Sequence, residues 1–406
     1  VNTMKKILVI NDFPVFPPVH GGKIRILNIY RNISSECEVT YLCLGDVKET
    51  TLRSISDNFS EISVPKTFLY RQIVLFAGLI MKCPVDDLVA LLLAPFNPWL
   101  RNMIRKKIRE SDIVICCHPY MYPAVSPWIG GRFLVYEALN DEYGLKSTTL
   151  PEGFLKKIML HRLDVVSCDL LRNCDLCFVV SEEDKKAFIE RYPADPQKLV
   201  IAPNGVDTEY YSELYKKRSH MQGDPSLHPL VIFLGSAHPP NIVAARKVIH
   251  SIAPKLPDVN FFIAGSVCDP IINDPRGSNV TLGFYISDEE KEKLFLRANV
   301  AINPMTTGSG SNIKIFDYLA SGIPVVTTKF GARGISMTNR VHAIVCDIDE
   351  FPGAITTLID NKALSEVLSH NGRVLVEQSY DWKRIALSMV AEIRKKTEAG
   401  HSQEAS

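Results

Sequence analysis

Residues 306–326 read TTGSGSNIKIFDYLASGIPVV. Two glycines stand among small hydroxyl residues, a short helical run follows, and a β-branched strand closes the stretch. Ser311 is placed to cap the helix, and Gly322 ahead of Pro324 ends it. A helix start exposes unpaired N–H groups and a partial positive charge, and glycines before it let an anion reach the backbone. Phosphate is the expected guest, held by Ser309, Gly310, Ser311 and Asn312. Lys314 falls in the first turn, where a cation opposes the helix dipole unless it meets a bound anion. Asp317, three residues on, lies on nearly the same face and can accept from two vicinal hydroxyls, as ribose presents. The plainer alternative is a glycine turn feeding a solvated helix. The offsets of Lys314 and Asp317, and the return to a strand, favour a binding site.

Outward from this stretch, short β-branched runs alternate with helical patterns: KKILVIND, EVTYLCLG, DIVICCHP, RFLVYEA, LCFVVS and KLVIAPNG, then LVIFLGS, VNFFIAGS, VAINPM, PVVTT and AIVCD. Continuous apolar strands between helices predict parallel sheets covered on both faces. At 406 residues the chain exceeds one hydrophobic core. We therefore expect two doubly wound α/β domains, 1–206 and 207–379, with 207–228 as a weakly patterned linker and 380–406 as a last helix and tail. DID at 347–349 invites comparison with a metal-binding Asp-x-Asp, but it precedes a helical run, which favours Asp349 as a helix cap.

Residues 67–109 interrupt the alternation. Their apolar pieces are broken by Arg71, Lys82, Pro84 and Asp86, too short for the ~20 residues of a membrane span. Two readings stay open: helices packing on the first sheet, which is the more economical, or an apolar surface beside Arg101, Arg105, Lys106, Lys107 and Arg109 that meets anionic lipid.

Apolar residues make up 46% of the chain and charged residues 22%, the balance of a globular protein. The net charge of +1, without interleaved basic and aromatic residues, argues against nucleic acid. Ten cysteines sit mostly within apolar runs, which points to a reduced, cytoplasmic setting. Cys168, Cys174 and Cys177 with His161 could suggest zinc, but Cys177 opens a strand and should face a core, so no metal is expected. The basic start VNTMKKILVIND runs directly into a strand rather than reading as a signal peptide.

The blocks NGVDTEYY, VIFLGSAHPPN, NFFIAGS, NVTLGFYISDEEKEKLFLRANVAINP and GSGSNIKIFDYLASGIPVVTTKFGARGI resemble, in order and spacing, the retaining glycosyltransferases of the GT-B fold. This is the large group 1, or family four, which includes sucrose synthases and bacterial polysaccharide and lipopolysaccharide transferases. FPVFPPVHGGKIRILNIY, YEALNDEY and FVVSEEDKKAF match more loosely, and SYDWKRIALSMVAEI resembles the family's last helix, which crosses back onto the N-terminal domain.

The resemblance implies two Rossmann-like domains facing a central cleft. The C-terminal one would bind a UDP- or GDP-linked sugar, and the N-terminal one a saccharide or lipid-linked acceptor, with no further cofactor. Asp317 stands where a glutamate usually binds ribose, and Lys314 near the diphosphate. Gly283, Phe284 and Tyr285 stand where backbone groups read the base, and Gly235 and Ser236 fall in the donor-binding block. Gly21 and Gly22 would approach the donor from the other domain. His118 resembles a histidine lining the donor sugar; a structural histidine before Pro119 is the alternative.

Two departures bear on activity. Ser309 occupies the place of an acid associated with the transferred sugar, and Ser236 and Asn241 or Ile242 stand where an Arg and a Lys often neutralise the diphosphate. Lys314, with Arg246, would then carry more of the charge. A degenerate nucleotide-sugar-binding or partner subunit, and a nucleotide-sugar epimerase, are the competing readings.

Overall fold

The computed structural model describes residues 4–18, 21–220, 228–308 and 312–404. The chain divides into two compact units, Val1–Pro203 with Lys383–Ser406, and Asn204–Trp382.

Unit 1 runs β1 (Lys6–Asn11), α1 (Gly21–Ile33), β2 (Glu38–Gly45), β3 (Thr51–Ser56), β4 (Phe59–Pro65), α2 (Phe68–Met81), α3 (Asp86–Leu93), α4 (Pro98–Glu110), β5 (Ile113–Cys117), α5 (Tyr122–Val125), β6 (Phe133–Ala138), α6 (Glu142–Thr149), α7 (Phe154–Asn173), β7 (Leu176–Val179), α8 (Glu182–Arg191) and β8 (Leu199–Ile201). The strands order β3-β4-β2-β1-β5-β6-β7-β8, parallel except for the antiparallel pair β3–β4. β1 and β5, at the middle, are buried along almost their whole length, as a sheet covered on both faces requires.

Unit 2 runs α9 (Ser212–His220), β9 (Leu230–Leu234), α10 (Pro239–Lys247), β10 (Asn260–Ala264), β11 (Val280–Phe284), α11 (Asp288–Arg297), β12 (Val300–Asn303), α12 (Ile313–Ala320), β13 (Val325–Thr327), β14 (Ile344–Val345), α13 (Phe351–Asp360) and α14 (Lys362–Ser379). Its six strands order β11-β10-β9-β12-β13-β14 and all pair in parallel. The last helix, α15 (Trp382–Glu404), belongs from Lys383 onward to unit 1. There Arg394 pairs with Glu36 at 2.6 Å, and Lys5 Nζ donates to Thr397 Oγ1 at 3.1 Å.

Several local expectations need correction. The stretch read as a linker carries α9, whose Leu214 is buried with Tyr211 in the unit 2 core. Asp347 rather than Asp349 caps the turn before α13: its side chain accepts from the Glu350 N–H, and Glu350 Oε2 accepts from the Asp347 N–H at 3.0 Å. The packing reading of 67–109 holds for α3 and α4, which bury Leu88, Val89, Leu91, Leu100, Ile104 and Ile108. It holds for one face of α2 only: Tyr70 and Met81 are buried and Ile73, Val74 and Ala77 pack on the core, while Phe68, Phe76 and Leu79 are exposed.

Candidate functional site

In open parallel sheets ligands collect outside the carboxyl ends of the strands, where the strand order reverses. In unit 2 that point lies between β9 and β12. Gly235, just past β9, donates its N–H to Ala264 O at 2.9 Å and accepts from Val267 N at 3.1 Å, while Gly265 N donates to Phe284 O at 2.6 Å. Three strand ends are thus tied together. Gly265 has φ +101°, and a Cβ there would fall 2.2 Å from Gly235 O, so this approach requires glycine.

The tied ends bring polar groups together. Ser266 Oγ accepts from Ala237 N at 2.9 Å, and Asn241 Nδ2 donates to Ser236 O and Oγ, both at 3.2 Å. Lys314 Nζ donates to Asn241 Oδ1 at 2.6 Å and stands 4.4 Å from the Phe233 ring centroid. No carboxylate pairs with Lys314 among the described residues. Burial pulls its pKa down to about 7. His238, on the same edge, is lowered by burial and by the Lys314 charge. Lys247 Nζ donates to Thr306 Oγ1 at 2.8 Å. Arg246, expected to help neutralise an anion, instead pairs with Asp274 at 2.7 Å.

Ser309, Gly310 and Ser311 lie outside the described residues. Asn312 turns its amide to Gly331 O at 3.1 Å rather than capping α12. Lys314 and Asp317 share a helix yet go to different neighbours. Asp317 Oδ2 accepts from Lys291 Nζ at 2.8 Å, and the same ammonium donates to Tyr211 OH at 2.9 Å. Burial would lower Lys291, but the Asp317 charge and hydrogen bond outweigh it and raise its pKa. Gly283 has a packing reason: a Cβ would come within 2.3 Å of the Phe262 ring. Phe284 takes φ +51°, and Tyr285 beyond it is 89% exposed.

Unit 1 reverses strand order between β1 and β5. Asp12 follows β1 and His118 follows β5, both buried. His118 adopts φ +63°, uncommon for a residue with a side chain and often associated with functional positions. Its Nδ1 sits 2.8 Å from Glu142 Oε1, whose other oxygen accepts from Tyr120 OH at 2.5 Å. Lys146 donates to Asp87 beside them. Burial alone would lower His118 and raise Glu142; their mutual attraction wins both ways, raising His118 and bringing Glu142 down to about 2. Asp12 goes up to about 7, mainly from burial and despite the pull of His118.

Gly21 and Gly22 open α1, one turn before its buried anchor, Arg25. Arg25 Nε donates to Glu137 Oε1 at 3.1 Å and Nη1 to Pro203 O at 2.7 Å. The sequence reading missed Asp12, Asp87, Glu142 and Lys146 in unit 1, and Lys247 and Lys291 in unit 2. Among the described residues no group of three or more His, Cys, Asp or Glu is arranged to hold a metal ion.

Residues 228–361 match the family of group 1 glycosyl transferases, and residues 83–210 match glycosyltransferase family 4. The sucrose-phosphate synthase of Thermosynechococcus elongatus superposes with a TM-score of 0.71 at 14% identity, covering 97% of this chain and all of the other. The chain is a GT-B-fold relative of the group 1 and family 4 glycosyltransferases. This glycosyltransferase relative also resembles Anabaena HepE, whose structure holds UDP-glucose: TM-score 0.66, 15% identity, 96% of this chain and 99% of that one. A 44.6 kDa protein from the cps region of Klebsiella pneumoniae is 23% identical over 96% of the chain and its own full length.

Proposed function

We propose that this protein transfers a sugar from a UDP- or GDP-linked donor to a hydroxyl of a saccharide or lipid-linked acceptor, with retention at the anomeric carbon. The setting is synthesis of a bacterial surface polysaccharide, lipopolysaccharide or glycolipid, on the cytoplasmic side and peripheral to the membrane. One observation carries the reading: Lys314, a half-buried cation without a carboxylate partner among the described residues, stands where the unit 2 strand order reverses. A half-buried cation with only a neutral amide for a partner is costly until an anion arrives. A donor diphosphate supplies the anion, and the HepE complex with UDP-glucose supports a nucleotide-linked one.

As the glycosidic bond breaks, positive charge grows on the sugar and negative charge on the departing diphosphate. Lys314, held by Asn241, stabilises the leaving group, and one such preorganised donor is worth about 3 kcal/mol. Asp317, steadied by Lys291, accepts from the ribose hydroxyls, and the base lies along Gly283, Phe284 and Tyr285. The glycine at 235 and Ser236 let the diphosphate approach the backbone. The departing phosphate takes the acceptor proton.

The test is calorimetry against UDP-, GDP- and ADP-sugars with wild type, Lys314→Ala and Asp317→Ala. A donor that binds wild type and neither variant, and is then turned over with a saccharide acceptor, supports the assignment. Binding without turnover on any acceptor favours a non-catalytic nucleotide-sugar-binding subunit. No binding by a folded protein removes the donor reading.

A further inference from the structure

α2 has the sequence FLYRQIVLFAGLIM, and its outer face is apolar. Phe68 is 78% exposed, Phe76 67% and Leu79 70%, with Leu69, Leu75 and Ile80 exposed beside them. An amphipathic surface helix should turn its polar face outward. The helix is nevertheless firmly seated: Thr67 caps it by accepting from Tyr70 N at 3.2 Å, and Tyr70 OH donates to Asp86 Oδ1 at 2.6 Å. Its inner residues Ile73, Val74 and Ala77 pack on the core.

The apolar surface extends to neighbouring elements. α3, which packs on both α2 and α7, exposes Leu92; the turn from α3 into α4 exposes Phe96, and α4 exposes Trp99. α7 begins with exposed Phe154, Leu155 and Ile158. Twelve large apolar side chains are exposed on these elements, on the order of 1,000 Å² together, more than singly scattered surface residues present.

Charge identifies what covers this face. Residues 68–82, 96–109 and 154–162 contain ten Lys and Arg and no Asp or Glu, in a chain whose net charge is only +1. α3 itself begins with Asp86 and Asp87, and these and the acids at the margins are taken up locally: Asp46 by Lys66 and Arg71, Asp86 by Lys66, Asp87 by Lys146, Glu110 by Lys107, Glu152 by Lys156. Lys82, Arg101, Lys106 and Lys157 form no ion pair among the described residues. A second copy docking face to face would set cations against cations. A bilayer with anionic headgroups accepts both features at once, Phe, Leu and Trp at the acyl boundary and Lys and Arg among the phosphates. No helix of the described residues is long and apolar enough to cross a membrane, so the contact lies on the surface.

We propose that α2, with the exposed apolar residues of α3, α4 and α7, docks unit 1 on an anionic bilayer, α2 lying in the plane of the interface. This deepens the peripheral placement proposed above but needs no sugar transfer for its test. The full chain is floated with phosphatidylcholine vesicles and with vesicles of equal parts phosphatidylcholine and phosphatidylglycerol, at low and high salt. Wild type should partition onto the anionic vesicles at low salt and at least tenfold less onto the neutral ones. Phe76→Asp with Leu79→Asp, both outward-facing, should abolish that partitioning while Tm and donor binding stay at wild-type values. Arg101→Glu with Lys106→Glu should weaken it at low salt.

The proposal falls if wild type ignores anionic vesicles, if it binds both compositions equally, or if the double aspartate variant still partitions. It also falls if wild type is a dimer in solution that the same variant splits, which assigns the face to a second copy. Lost flotation with donor binding intact concerns docking alone, and lost donor binding with flotation intact concerns the transferase reading alone.

Discussion

Lys314 Nζ lies 2.6 Å from Asn241 Oδ1, a neutral partner for a desolvated cation. With its pKa at about 7, Lys314 is half-protonated near neutrality. A bound diphosphate favours the charged form, so binding above pH 7 takes up a proton. The donor association constant should be flat below pH 6 and fall by up to tenfold per unit above pH 7. Calorimetry at pH 6, 7 and 8.5 measures this, and an association constant level across that range removes Lys314 from the diphosphate.

The same lysine should cost stability. Unfolded, it titrates near 10.5; folded, near 7. Between those values the unfolded chain binds more protons, so stability rises with pH across the window. Lys314→Met should therefore stabilise the fold at pH 6.5, with the gain fading toward pH 10, and should lose donor binding at every pH. Urea midpoints at pH 6.5 and 9.5 test the sign. A variant less stable than wild type at pH 6.5 would contradict the burial argument.

Lys291 acts through Asp317 rather than on the donor itself. Both side chains are about a quarter exposed, so solvent screening keeps the pair's own contribution to about 1 kcal/mol. Its larger effect is on orientation. Lys291→Met should raise the donor dissociation constant roughly tenfold, whereas Lys291→Arg should recover most of the loss, because a guanidinium still holds a carboxylate. A methionine variant binding within twofold of wild type would separate Asp317 from the ribose.

Gly265 and Gly353 make a paired test of backbone geometry. Gly265→Ala places a Cβ 2.2 Å from Gly235 O at a φ of +101°, and should cost about 2–4 kcal/mol and weaken donor binding. Gly353, within α13, faces open space, with no atom within 4 Å of where a Cβ would stand, and Gly353→Ala should gain about 0.5–1 kcal/mol. Thermal denaturation of both variants reads the contrast. Equal effects would mean that neither position is governed by the geometry described.

How much of this was legible depends on how far apart in sequence the interacting groups lie. The long apolar strands such as IVICC identify themselves, because a strand buried on both faces needs no alternation. The hairpin β3–β4 escaped notice: TLRSIS is an exposed edge strand whose polar side chains resemble a loop. Residues 68–81 suggested core, since apolar content alone does not say which face finds a partner. Lys314 and Asp317 were readable from a single helix start. Lys291 was not, being 26 residues from the carboxylate it holds, and Asp12, His118 and Glu142 come from the ends of three separate strands. Only the strand order β1-β5-β6 gathers them.

That gathered cluster gives the last prediction, a pair of opposed pH profiles. Glu142, depressed to about 2, contributes stability above its unfolded value near 4.5 and loses it as pH falls through 2. His118, raised, contributes fully below its unfolded 6.5 and loses that contribution as pH rises through its folded value. Both act together between about pH 4.5 and 6.5, so Glu142→Gln should cost about 2 kcal/mol at pH 5.5 and less at pH 8.5. Asp12 runs the other way. Raised to about 7, it binds a proton in the fold that the unfolded chain has released, and it lowers stability as pH climbs from about 4 to 7. Asp12→Asn should thus stabilise more at pH 8 than at pH 4. If both variants shift the urea midpoint equally at all pH values, the cluster is held by packing rather than by charge, and His118 keeps its unusual backbone for another reason.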